Sequence, residues 1–150
     1  MKRIEQLQSL SREHHLSLVL ANKAIKIAKL GDEAQMKVFC QQVGDEFEGR
    51  WQAHFRKEER TIFAVIEDKY QHILTEIAPE DATLVTLLKQ QHQQMRTLAS
   101  NMQQGCIHQL AEFGLLLRDH TRLEERRLFP LISQLFNAQE LDQIETSLII

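Results

Sequence analysis

The sequence predicts an all-α protein: an antiparallel up-down-up-down four-helix bundle with a short C-terminal fifth helix. Three observations predict it. Apolar residues recur at helical spacing almost everywhere, and no stretch alternates as a strand does. Five Gly and two Pro in 150 residues leave too little punctuation for a loop-rich or all-β fold. Turn signals divide the chain into four long amphipathic stretches, and short connections between long helices favour antiparallel neighbours.

The first stretch runs from about residue 4 to Leu30, with a seam of Leu7, Leu18, Ala21, Ile25 and Ala28. Gly31-Asp32 ends it and offers an N-cap to the next helix. The second continues to about Asp68 on Met36, Cys40, Val43, Phe47, Trp51, Ile62 and Val65. Gly44 and Gly49 weaken its first half, so an irregular start is expected there. Tyr70 to Glu80, carrying Pro79, reads as a connection. The third helix starts near Asp81, a suitable N-cap, and carries Val85, Leu88, Met95, Ala99 and Met102 on one stripe. Gly105 marks a tight turn. The fourth helix spans about Ile107 to Phe136, with Leu110, Phe113, Leu117, Leu131 and Leu135 inward, and Pro130 should kink or open it. Asn137-x-x-Glu140 resembles a capping box for a fifth helix with Leu141, Ile144 and Leu148.

The length suits one domain over residues 1–150. A net charge of −3 and pI near 6.2 offer no electrostatic case for nucleic acid. No apolar run approaches the ~18–20 residues of a membrane span, and the first residues lack the apolar core of a secretory signal. Cys40 and Cys106 form no C-x-x-C motif, which makes a reducing cytoplasm the expected setting.

His-x-x-x-Glu-Glu-Arg occurs twice, at His54–Arg60 and His120–Arg126, each followed three residues later by Phe63 or Phe129. His and Glu at i and i+4 point the same way on a helix, so one imidazole and one carboxylate can grip one cation. His14 and His92 fall on the apolar seams of the first and third helices. Six ionisable groups, His14, His54, Glu58, His92, His120 and Glu124, thus sit where a plain bundle carries Leu or Ile.

Their heights agree too. In an up-down bundle, residues at one level are symmetric about the turn between their helices. Successive pairs of these four histidines have midpoints at 34, 73 and 106, beside the three expected turns. One layer of the core therefore collects all six groups. Burying such charges unpartnered costs several kcal/mol each, and a divalent cation satisfies both kinds of ligand. Four imidazoles and two bridging carboxylates suit two borderline metals roughly 3.5–4 Å apart, iron first, with manganese or zinc as alternatives.

These residues resemble the hemerythrin-like family, the HHE cation-binding domain. The motifs are Arg-Glu-His14-His15, His54-Phe-Arg-Lys-Glu58-Glu59, Gln-His92, and His120-Thr-Arg-Leu-Glu124-Glu125 followed by Leu-Phe-Pro130, spanning about residues 10–135. The resemblance implies a non-haem di-iron centre bridged by two glutamates, with an oxo or hydroxo bridge and chemistry with O2, NO or peroxide. Oxygen-carrying members place a second histidine one turn after the first on the third helix; here that position is Arg96, which argues against simple reversible oxygen carriage and leaves one metal more open, or filled by solvent or another side chain. They also end the fourth-helix motif with an aspartate at a longer spacing.

Several assignments stay open at this level. His14 shares the seam with Leu18 and Ile25, whereas His15 projects about 100° away. Glu59 and Glu125, one residue past the ligand positions, read as surface salt bridges, and His72 and His108 as surface histidines. Trp51 and the methionines read as core, the cysteines as small core or turn residues. A ferritin-like di-iron oxidase requires Glu-x-x-His, and none of the seven histidines has an acidic residue three positions before it. Function classes compatible with the layer are a protein that binds or senses O2 or NO or handles iron under oxidative or nitrosative stress, a di-iron redox enzyme or iron donor for cluster repair, and a zinc-binding or metal-free interaction module. Protein partners and oligomeric state are not encoded in any recognisable motif.

Overall fold

The structure, a computed structural model, describes residues 5–149. Those residues are helical almost throughout and contain no strand. The expected start of the first helix near residue 4 lies outside them. A 3₁₀ turn at Glu5–Leu7 leads into α1, Gln8–Leu30. Its buried row is Leu10, His14, Ser17, Ala21, Ala24 and Ile27, while Leu18, Ile25 and Ala28 are only partly buried. The expected seam is therefore rotated. The reason is close approach. A Cβ on Gly114 of the facing helix would lie 2.9 Å from Ile25 Cγ1 and 3.1 Å from Ala24 Cβ, so small residues line this contact and large ones flank it.

Gly31 takes the left-handed conformation at φ 73° and ends α1, and Asp32 accepts a hydrogen bond from Gln35 N at 3.2 Å to start α2, Glu33–Glu46. The helical path continues through a π turn at Phe47–Trp51, α3 at Gln52–Glu58, further π turns at Glu59–Phe63 and Ile66–Tyr70, and α4 at Gln71–Ile77. The irregularity near Gly49 is present as expected. Gly44, by contrast, lies inside regular helix, where it admits the Gln103 backbone of the third long helix.

The expected connection from Tyr70 to Glu80 is instead mostly helix. Buried Leu74 anchors α4, and Pro79 opens the short α5, Pro79–Ala82, where its missing N–H costs nothing. Asp81 does not cap the next helix. It accepts from Arg127 Nη2 at 2.6 Å, and α6, Leu84–Gln103, begins after Thr83 without a side-chain cap. The α6 stripe of Val85, Leu88, Met95, Ala99 and Met102 is buried as read. Gly105, at φ 112°, makes the next turn.

After it come α7, Leu110–Leu123, a π turn at Glu124–Leu128, and α8, Phe129–Leu135. The π turn lies one turn before Pro130, which has no N–H to return to the carbonyl four residues back. The capping box forms: Glu140 N donates to Asn137 Oδ1 at 2.8 Å, Asn137 N donates to Glu140 Oε1 at 3.0 Å, and α9, Ala138–Ile149, follows.

Neighbouring segments meet at residue pairs 44 and 103, 59 and 92, and 67 and 89, while 14 meets 125 and 24 meets 114. This arrangement is compatible with a four-helix bundle closed by a fifth helix. The buried apolar residues form two separate clusters. One holds Ala21, Phe47, Phe55, Met95 and Leu117; the other holds Leu10, Ile62, Leu88, Leu128 and Ile144. On each long helix the gap between the clusters is where the histidines and glutamates stand.

Candidate metal centre

The layer between the two apolar clusters contains His14, His54, Glu58, His92, His120 and Glu124, none more than 2 % exposed. His15, one residue on, is exposed, as are His72 and His108. Helical spacing puts His54 Nε2 3.4 Å from Glu58 Oε1 and His120 Nε2 3.1 Å from Glu124 Oε1. Across the core, His14 Nε2 lies 3.3 Å from Glu58 Oε2 and 3.1 Å from Glu124 Oε1. His92 Nε2 is 3.1 Å from both Glu58 Oε1 and His120 Nε2. Two overlapping donor sets result: His14, His54, Glu58 and Glu124, and Glu58, His92, His120 and Glu124, with the donor atoms of each set within 4.8 Å of one another. The two glutamates belong to both. Phe55 stacks on His92 at 4.1 Å between ring centroids and Phe129 on His14 at 5.2 Å, so aromatic faces hold the rings.

Each histidine turns Nε2 inward and is held at Nδ1 by an acceptor from another helix. Glu125 Oε1 lies 2.8 Å from His14 Nδ1, Glu59 Oε2 2.8 Å from His92, and Gln91 Oε1 2.7 Å from His120; Glu13 Oε2 receives His54. Such contacts fix tautomer and ring orientation and raise the basicity of the inward nitrogen. Glu59 and Glu125 are therefore not surface salt bridges. A residue beside an inward-facing one is turned about 100° round the helix. From there Glu59 reaches α6 and Glu125 reaches α1. Sequence reasoning also missed Glu13 and Gln91. The available signal was their position: each directly precedes His14 or His92, the two histidines without a His-x-x-x-Glu motif of their own.

Arg96 has a different role from the imidazole it replaces in the resemblance. Its Nη2 donates to Glu59 Oε1 at 2.9 Å, its Nε donates to Gln52, and its guanidinium lies 5.8 Å from the centre of the Phe55 ring. Lys57 Nζ donates to Glu13 Oε1 at 3.3 Å. A cleft of about 430 Å³, lined by Glu13, Leu16, Arg50, Trp51, His54 and Lys57 among others, opens beside His54.

The electrostatics are those of a charged layer in a dry core. Burial opposes protonation of His14, but Glu124, Glu125 and Glu58 outweigh it and raise its pKa well above the usual imidazole value. Burial likewise opposes the His92 cation, yet Glu58 and Glu59 lift it to about 9. Burial would raise Glu124, but His120 and His14 hold it well below the carboxylate range; Glu59, against the same burial, falls to about 2 beside His92 and Arg96.

Two buried groups lack a hydrogen-bond partner among the described residues: the indole Nε1 of Trp51, which lines the cleft, and, inside the layer, the Glu124 carboxylate. Neither carboxylate oxygen of fully buried Glu124 makes a hydrogen bond among the described residues, although His14 Nε2 and His120 Nε2 each lie 3.1 Å from Oε1. An anion without donors, ringed by imidazole nitrogens, fits a cation in its place, and the mixed nitrogen and oxygen set fits a borderline divalent metal. Uptake would displace the protons now shared in the layer.

Fold and layer together define a helical protein in which four long helical segments bring into one buried layer imidazoles and carboxylates that could hold a cation. The sequence matches the family model described as the hemerythrin HHE cation binding domain over residues 5–132, a span that includes all six layer residues. The chain belongs to that family. No curated protein and no solved structure gave a match. No helix among the described residues is long and apolar enough to cross a membrane.

Proposed function

We propose that this chain is a single hemerythrin-like domain, an antiparallel up-down-up-down bundle, carrying a non-haem di-iron centre that binds a small diatomic ligand, O2 or NO. The observation that carries the reading is the pair of donor sets sharing Glu58 and Glu124, with both Glu124 oxygens free of hydrogen bonds. His14 and His54 would hold one iron, His92 and His120 the other, and the two glutamates would bridge them. The descending order of the contact pairs supports the antiparallel arrangement, and two unpaired cysteines suit a cytoplasmic setting.

When bound, the iron pair would supply redox-active metal able to take a small ligand. This chain's own residues do the rest. Phe55, Phe63 and Phe129 stack on the histidines and keep bulk water away from the layer. Glu13, Glu59, Gln91 and Glu125 keep each Nδ1 proton in place, so that Nε2 stays the inward donor. Reversible oxygen carriage is not part of the proposal, because Arg96 is committed to Glu59 and Gln52.

Metal analysis of iron-loaded protein, with optical spectra under nitrogen, air and NO, tests the reading. The expected result is two irons per folded chain and near-ultraviolet absorption that changes with the gas. One iron or none per folded chain overturns the di-iron assignment; two irons with no gas-dependent change overturns ligand binding.

A further inference from the structure

The two halves of the layer repeat one another closely. The second Glu of the α3 motif, Glu59, serves His92 on α6, and the second Glu of the α7 motif, Glu125, serves His14 on α1. In return, the residue before His14 serves His54, and the residue before His92 serves His120. The repeat fails at one point. The residue before His14 is Glu13, a carboxylate; the residue before His92 is Gln91, an amide.

A carboxylate accepting from Nδ1–H pulls the imidazole toward imidazolate and strengthens Nε2 as a donor, whereas a neutral amide oxygen only orients the ring. The His14 and His54 half therefore has two carboxylates behind its imidazoles, and the His92 and His120 half has one.

Resting on the two-position reading above, we propose that the positions are inequivalent and that Gln91 is the positioning residue that makes them so: the His14–His54 position fills first and holds its ion more tightly, and the His92–His120 position is the exchangeable one. Outer partners of this kind shift metal affinity by about tenfold or more, so roughly nine in ten first ions should sit at the His14–His54 position.

The test titrates metal-free full-length chain, labelled with ¹⁵N-histidine, with Zn(II), while the ring nitrogens are followed by nuclear magnetic resonance. In the wild type, His14 and His54 should respond over the first equivalent and His92 and His120 over the second. The exchanged variant Glu13→Gln/Gln91→Glu should reverse that order. Gln91→Glu alone, which gives both halves two carboxylates and changes only a partly exposed side chain, should bring the two responses together. A wild type in which both pairs respond together or in the opposite order overturns the proposal, as does a folded exchanged variant, or a Gln91→Glu chain, that keeps the wild-type order. If neither pair responds at all, the two-position reading itself fails and takes the proposal with it.

Discussion

Glu59 Oε2 lies 2.8 Å from Nδ1 of His92, while the neighbouring Glu58 Oε1 lies 3.1 Å from Nε2 of the same ring. Consecutive glutamates on one helical segment thus grasp both nitrogens of one histidine on another. The first faces the layer and the second stands behind it, which explains why the motif reads Glu-Glu rather than Glu alone.

Replacing Glu59 should therefore weaken metal binding without removing a ligand. Glu59→Gln is expected to lower divalent-metal affinity by about 10–100-fold in a competition titration against a chromophoric chelator. Glu67→Gln, at an exposed pair with Lys89, should leave that titration unchanged.

Glu124 belongs to both donor sets. Glu124→Leu should leave at most one tightly bound metal per chain by elemental analysis. It should also destabilise the metal-free protein by about 3–5 kcal/mol in denaturant unfolding, because it removes the buried carboxylate that faces both His14 and His120. Retention of two metals by the variant would show that this carboxylate does not bridge.

Glu140 ties the fifth helix to the rest of the protein, accepting from Tyr70 Oη and from Lys69 Nζ at 3.2 Å besides closing its own capping box. Burial opposes its ionisation, but the Tyr70, Asn137 and Lys69 contacts hold its pKa below the usual value. A depressed carboxylate contributes stability above its unfolded pKa, near 4.3, that is lost as pH falls through the folded value. Tyr70, raised to about 12 chiefly by its hydrogen bond to Glu140, contributes stability that is lost as pH rises from about 10 through that value. Glu140→Gln should cost about 1–3 kcal/mol at pH 7, and its unfolding midpoint should converge with the wild type in acid.

Two glycines of one helical rod should respond to alanine with opposite sign. At Gly44 a Cβ would fall 2.5 Å from Gln103 Cβ and 3.1 Å from its Cα, neither of which is the free end of a side chain. Gly44→Ala is expected to destabilise by about 1–3 kcal/mol, overriding the ~1 kcal/mol gain in helix propensity. At Gly49 no such atom lies within 4 Å, so Gly49→Ala should gain up to ~1 kcal/mol, read as a higher melting temperature.

Much of this protein was legible in one dimension. Helical periodicity and turn chemistry identified the ends at Gly31-Asp32 and Gly105 and the Asn137–Glu140 box, because a cap or a left-handed glycine is settled within a few residues of its own chain. The same periodicity placed His14, His54, Glu58, His92, His120 and Glu124 on core seams, and the turn midpoints put the histidines at one height. Pro79 misled, since proline marks the first turn of a helix as readily as a loop.

What only the tertiary structure decided lies between helices. The inward face of α1 is Ser17, Ala21 and Ala24 rather than Leu18 and Ile25, because the approach of Gly114 selects small residues there, and hydrophobic patterning is blind to how near a neighbour comes. The acceptors behind the imidazoles, Glu13, Glu59, Gln91 and Glu125, look like surface residues in the sequence. They become part of the site because each projects sideways from its own helix onto a ring carried by another, and the register that brings those atoms within hydrogen-bonding distance is a property of the assembled helices, not of any one segment.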